Sequence, residues 1–235
     1  MINLRWRTKE LDKTIIALLP MKGNSERVPE KNLKNFAGKP LFHSILSTLL
    51  SSKYISKVII NTDSEKIAQN AVDNFQRVEI HWRPEEICGD MVSMNKIIEN
   101  DLNQLDSECF IQTHSTNPLI SVETIDNAIK TFFEMPEPYD SLFSVTRLQT
   151  RLYWKDGEPI NHNPDELLRT QDLQPVFEEN SNFFIFSKKS FLNAGNTRIG
   201  NCPKMHEVNK TEASDIDDPE DFEIAEAIFI KRNQT

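Results

Sequence analysis

Apolar runs and amphipathic stretches alternate along most of this chain. Residues 14–19, Thr-Ile-Ile-Ala-Leu-Leu, form a short unbroken apolar run, the pattern of a strand buried on both faces. Residues 41–50 repeat apolar positions at helical spacing, with Pro40 expected at the first helical turn. Residues 57–63 predict a second strand with a polar exit, and 64–74 a helix opened by Ser64. A short strand is expected at 78–82, a helix beginning near Ser93, a buried strand at 109–113 and a helix over 122–134. Residues 141–146 predict a further strand, and 219–231 a closing helix with Asp218 as its cap. Strand and helix in turn imply an α/β fold whose mostly parallel sheet carries helices on its faces. The stretch from about 147 to 176 breaks the rhythm and predicts an excursion from the sheet.

Polar residues collect where these strands end, at the carboxyl edge that serves as the ligand crevice of open α/β sheets. The first strand runs into Lys22, Gly23, Asn24, Ser25, Arg27 and Lys31. Small residues let backbone N–H groups approach an anion, and the cations oppose charge on a polyphosphate. The loop is neither G-x-x-x-x-G-K-[ST] nor G-x-G-x-x-G, so the P-loop and dinucleotide fingerprints find no support in it. Near the other end, Asp215 and Asp217 flank Ile216, which in extended backbone points both carboxylates to one side. Two adjacent carboxylates suit a hard cation such as Mg²⁺, which also bridges phosphate oxygens.

Length and charge narrow the classes. The 235 residues suit one domain, and the net charge of −9 argues against a nucleic-acid partner. Three widely spaced cysteines, Cys88, Cys109 and Cys202, fit neither a zinc pattern nor a disulfide framework. No stretch has the length and apolarity of a membrane span, and the first residues lack an apolar signal core, so a cytoplasmic protein is expected with no membrane partner.

Several blocks, in order, resemble the acylneuraminate cytidylyltransferase family, the CMP-sugar synthetases. Residues 18–32 are similar to the family's A-R-x-G-S-K-G-x-P-x-K-N, with Gly38-Lys39-Pro40-Leu41 at its G-K-P-L. Asn61-Thr62-Asp63 stands at its S-T-D, and Arg83-Pro84 with Asp90 at its R-P and following Asp. His114 to Ile120 stands at Q-P-T-S-P-L-R, residues 169–177 at R-x-Q-D-L-P-P-x-[FY], and 180–185 at N-G-A-I-Y-I. The run from Glu212 to Phe222 resembles S-x-D-I-D-x-x-x-D-[FL]. Departures are Lys22 for the family arginine, Glu26-Arg27 for Lys-Gly, His114 for glutamine, Ile120 for arginine and Ser181 for glycine.

The resemblance implies a Rossmann-like nucleotide-diphospho-sugar transferase fold, a small dimerisation lobe at about 147–176 and a homodimer. It implies a transferase joining CTP to a sialic acid-like or related 2-keto sugar acid, with loss of pyrophosphate. Lys31, Lys22, Arg27 and Asp217 are the expected catalytic residues. Leu19, Met21, Lys22, Gly23, Asn24, Ser25, Arg27, Lys31, Arg83, Asp90 and Ser93 would hold the nucleotide. His114, Thr116, Arg169, Gln171, Asn180 and Ser181 would face the sugar, the guanidinium suiting a carboxylate and the amides suiting hydroxyls. Asp215 and Asp217 would hold Mg²⁺. A transferase of the same fold acting on a sugar phosphate or polyol phosphate, and a non-catalytic nucleotide-binding relative, remain as alternatives.

Overall fold

The computed structural model describes residues 14–23 and 28–234. The strands are β1 (Ile15–Leu18), β2 (Asn35–Phe36), β3 (Lys39–Pro40), β4 (Ile55–Thr62), β5 (Val78–Trp82), β6 (Cys109–Thr113), β7 (Ser141–Leu148), β8 (Val176–Ser187) and β9 (Pro203–Glu207). The helices are α1 (Phe42–Ser51), α2 (Glu65–Asn74), α3 (Met94–Leu102), α4 (Val122–Glu134), α5 (Lys188–Asn193) and α6 (Pro219–Asn233). Seven strands form one sheet in the order β5–β4–β1–β6–β8–β7–β9. Every strand runs one way except β8, which pairs antiparallel with both β6 and β7. The expected mostly parallel α/β sheet is therefore present.

Alternation along β1 divides the core into two layers. Ile15 and Ala17 pack with α1, α2 and α4 on one face. Ile16 and Leu18 pack on the other with Ile98 and Leu102 of α3, Phe191 of α5 and three phenylalanines, Phe110, Phe184 and Phe186. A third cluster joins Phe36 and Leu41 to Leu119, Ile216 and to Phe222 and Ala225 of α6. Ile216, fully buried, thereby pins the segment that carries Asp215 and Asp217.

Caps explain several boundaries. Ser64, Ser93 and Ser121 accept backbone N–H groups at the starts of α2, α3 and α4. Asp218 accepts from the N–H groups of Glu220 and Asp221 in a capping box, as its position before Pro219 predicts. One boundary is corrected. Pro40 does not open α1 but lies in the β2–β3 hairpin, and α1 begins at Phe42. Ala37 and Gly38, at φ of 50° and 89°, make the hairpin's turn. Between β7 and β8, residues 149–175 hold a single bridge, Tyr153 with Pro159, and one 3₁₀ turn, and are otherwise largely irregular.

Candidate active site

A cleft of about 380 Å³ opens at the carboxyl ends of β1, β5 and β6. Its walls include Met21, Lys22, Lys31, Arg83, Asp90, His114 and Thr116, seven of the residues singled out in the sequence. They come from three separate strand exits, and the parallel sheet is what gathers them.

The loop after β1 is held by its neighbours. Gly23 N–H donates to Asp63 Oδ1 at 2.6 Å. A Cβ on Gly23 would meet Ser64 Cβ at 2.9 Å, so only glycine lets the loop lie against the start of α2. Asn32, almost buried, donates from Nδ2 to the Lys22 carbonyl at 2.9 Å and accepts from Ser115 Oγ at 2.5 Å. It ties the β1 exit to the β6 exit. Lys22 bonds and ion-pairs with Asp90 across the cleft mouth. Lys31 Nζ donates to the Ile216 carbonyl at 2.6 Å, which brings the acidic segment to the cleft's edge. Asn24, Ser25 and Arg27 lie outside the described residues.

Arg83 is fixed by carbonyl groups rather than by a carboxylate. Its Nε donates to Asn61 Oδ1 at 2.8 Å, and its Nη2 to the Asn61 carbonyl at 3.0 Å. Asn61 is fully buried and donates to Asp101 Oδ1 at 2.7 Å, which also bonds His81 Nδ1 at 2.9 Å. A buried polar file thus runs from the cleft through Asn61 and Asp101 to His81. Only its polar strand exit was visible in the sequence.

His114 lines the cleft with its ring held against Gln112, Nε2 to Nε2 at 3.2 Å. Burial, with the nearby charges of Arg198 and Lys31, lowers its pKa to about 4. The imidazole is then neutral at pH 7 and serves as a donor and acceptor, not as a cation. Below pH 6.5 the unfolded chain takes up a proton that the folded chain refuses, so stability must fall with pH. Unfolding titrations from pH 7 to pH 4 should show a loss of up to about 3 kcal/mol from this group, which His114→Gln removes.

Asp215 and Asp217 stand in non-helical backbone on either side of Ile216, both open to solvent. Surrounding protein, and secondarily the charge of Asp217, push the Asp215 carboxyl above its ordinary range, while Thr116 and Lys31 pull it back. A cation beside the pair relieves that repulsion. Among the described residues no group of three or more His, Cys, Asp or Glu side chains could hold a metal. Two carboxylates with the remaining positions left to phosphate oxygens and water match the way Mg²⁺ binds, so the donor set fits that ion.

Other expected site residues lie elsewhere. The Leu19 side chain belongs to the core and its N–H donates to the Ile59 carbonyl. Ser93 caps α3 and is not among the cleft residues. Arg169 is exposed and forks onto Asp172, with Nε to Oδ2 at 2.7 Å, and Gln171 is exposed beside it. Neither lines this cleft. Asn180 is bonded to Thr146 Oγ1 at 3.0 Å within the β7–β8 ladder. Ser181 adopts φ of 56°, a left-handed conformation that favours glycine. Residues the sequence did not single out also form the walls, among them Val92, Met94 and Ile97 of the α3 side. They carried no signal beyond an ordinary amphipathic helix.

The cytidylyltransferase family model matches residues 16–232. The chain belongs to the cytidylyltransferase family. An N-acylneuraminate cytidylyltransferase A of Danio rerio is 30% identical over 223 residues, covering 90% of this chain and 50% of that protein. A pseudaminic acid cytidylyltransferase of Campylobacter jejuni is 23% identical over 188 residues, covering 75% of this chain and 80% of the other. The chain spans about half the length of the first of these relatives and of an Escherichia coli N-acylneuraminate cytidylyltransferase. A CMP:2-keto-3-deoxy-manno-octonic acid synthetase solved in complex with CTP superposes with a TM-score of 0.67 at 12% identity, covering 93% of this chain and 99% of the other. That likeness establishes the Rossmann-like nucleotide-sugar transferase fold. The order of blocks from the β1 exit to Phe222 is thus explained by common family membership. No helix of the described residues is long and apolar enough to cross a membrane.

Proposed function

We propose that this chain transfers the cytidylyl group of CTP to a sugar acid of the nonulosonate or related 2-keto type, giving a CMP-sugar and pyrophosphate. The observation that carries the reading is the bond from Lys31 to the Ile216 carbonyl, which joins the phosphate-type loop to the paired carboxylates at one cleft. In the reaction the anomeric hydroxyl attacks the α-phosphorus. A new O–P bond forms, the α–β bridging P–O bond breaks, the hydroxyl proton leaves and pyrophosphate departs. Such chemistry asks the protein chiefly for positioning and for neutralisation of charge on the phosphates.

Lys22 and Lys31 oppose that charge from the loop, with Arg27 assisting from the same stretch. Asp215 and Asp217 would hold Mg²⁺, which would supply neutralisation of the phosphate charge. Arg83 presents its guanidinium at the cytosine end, with Asp90 and the loop backbone completing that side. His114 and Thr116 face the sugar as neutral hydrogen-bonding groups. Arg169 and Gln171, exposed on the 149–175 excursion, suit a role at a partner's pocket in a homodimer. Three cysteines without a disulfide among the described residues suit a reducing cytoplasm.

The test is pyrophosphate release with Mg²⁺, crossing the four nucleoside triphosphates with N-acetylneuraminate, pseudaminic acid, 3-deoxy-manno-octulosonate and a set of sugar and polyol phosphates. Release with CTP and a sugar acid is expected. Release only with a phosphate acceptor transfers the activity to the alternative class. Silence with all acceptors, together with CTP binding by calorimetry, leaves a nucleotide-binding protein without the transferase reaction.

A further inference from the structure

Arg198 stands in the segment between α5 and β9, outside every motif of the sequence. Its guanidinium carbon lies 3.8 Å from the centre of the Phe184 ring, the distance of a close cation–π stack. Its Nη1 donates to Gln112 Oε1. Gln112 and Phe184 are cross-strand partners on β6 and β8, so the guanidinium lies over one patch of the sheet. Gln112 in turn touches the ring of His114, which lines the cleft.

The turn that carries Arg198 is fixed. The Arg198 N–H donates to Asn95 Oδ1 on α3 at 3.4 Å. The N–H groups of Asn201 and Cys202 both donate to the Asp140 carboxylate at 3.0 Å. Gly200 has φ of 76°, and a Cβ there would fall 2.4 Å from Asp140 Oδ1. The guanidinium is presented by a braced loop, not by a free arm.

No carboxylate forms an ion pair with Arg198 among the described residues. Glu179 acts on it only as a more distant charge, and burial lowers its pKa to about 10, so it remains a cation at neutral pH. A partly buried guanidinium with one hydrogen bond retains most of its fork unspent. With Phe184 against the guanidinium and one donor spent on Gln112, the remaining donors can offer a carboxylate two bonds. The other cations of the site are committed differently. Lys22 pairs with Asp90, Lys31 donates to the Ile216 carbonyl and Arg83 serves carbonyls, while Arg169, outside the cleft, forks onto Asp172. His114 is neutral and supplies hydrogen bonds but no charge.

We propose that Arg198 receives the carboxylate of the acceptor sugar acid, on the His114 side of the cleft. The inference rests on the sugar-acid reading above and adds to it the group that distinguishes an acid from a neutral sugar.

The experiment compares wild type, Arg198→Gln and Arg198→Lys in Mg²⁺-dependent pyrophosphate release with CTP. The acceptors are the free acid and the methyl ester of whichever of N-acetylneuraminate and pseudaminic acid wild type uses better. Arg198→Gln is expected to raise the acceptor KM at least tenfold with the CTP KM within about twofold. Arg198→Lys, which keeps charge but not the planar fork, should fall between. Wild type should prefer the acid over the ester by at least tenfold, and Arg198→Gln should lose that preference, which a merely structural arginine would not cause. Melting temperatures show that each variant is folded, and Arg198→Lys carries the comparison if Arg198→Gln is not. Retention of the full acid preference by the folded variants overturns this inference and leaves the sugar-acid reading standing. Failure of wild type to use any sugar acid overturns both.

Discussion

Replacing Asp215 with asparagine is expected to lower kcat for pyrophosphate release roughly a thousandfold while moving the melting temperature by no more than about 2 °C. The two halves of this expectation come from one geometry. Asp215 stands at the cleft edge, and on balance burial and the Asp217 charge raise the cost of its charge against the pull of Thr116 and Lys31. Asparagine keeps the size and the Oδ1 that Asn117 Nδ2 approaches at 3.4 Å. The segment stays anchored by Ile216, which is fully buried, and by the bond from Lys31 to the Ile216 carbonyl. What asparagine cannot supply is the negative charge that the proposed Mg²⁺ needs, with only Asp217 beside it. The measurement is kcat at saturating Mg²⁺ and CTP, paired with a melting curve taken without divalent cation. A kcat within tenfold of wild type would remove Asp215 from the metal site. A fall of many degrees in melting temperature would make the carboxylate structural.

The parts of this molecule that could be read from its sequence are those in which one element carries its own pattern. β1, β6 and α4 fall where apolar runs and helical spacing place them, because their apolar positions are the buried ones. Asp218 reads as a cap because cap, proline and first-turn acids are consecutive. The β2–β3 hairpin could not be read this way. It has two residues per strand, and its Pro40 carries the signal of a helix start. α5 and β9 are short and half exposed, so their burial follows from packing on β8 and β7, which lie far away in sequence or depend on the sheet order. The site divides along the same line. Lys22, Lys31 and Arg83 announce themselves as polar residues at strand exits. Asn32 and Asn61 fall inside matched blocks, but their bonds to Ser115, Arg83 and Asp101 join segments far apart in sequence, and no local pattern marks Arg198 at all. Asp101 is the sharpest case. On α3 it looks like a solvated helix acid, yet it is 1% exposed.

That burial predicts a large stability effect. Asp101→Ala should destabilise the fold by about 3–5 kcal/mol, a drop of roughly 10 °C in melting temperature. Asp101 Oδ1 accepts from Asn61 at 2.7 Å and from His81 at 2.9 Å, and both partners are themselves buried. Removing the carboxylate leaves two buried donors without acceptors. The cost should depend on pH with a definite sign. The hydrogen bond to Asp101, with Asp101 and Glu79 charges helping, raises the His81 pKa above its ordinary value, and Glu79 itself is shared with Lys57. A raised pKa means that the folded chain binds the proton more tightly. The stabilisation is complete below the unfolded pKa of about 6.5 and is lost as pH rises through the folded value. The difference between wild type and Asp101→Ala should therefore be larger at pH 6 than at pH 9 in chemical unfolding. The same variant carries a functional consequence, since Asn61 Oδ1 also accepts from Arg83 Nε at 2.8 Å. With Asn61 free to turn, Arg83 loses its orientation in the cleft, and the KM for CTP should rise by about tenfold at a temperature where the variant is folded. Asp101→Asn keeps an acceptor for His81 and should lie between the two. A pH-independent loss of stability with an unchanged KM would separate Asp101 from both His81 and the nucleotide site, and show it to be a local packing residue of α3.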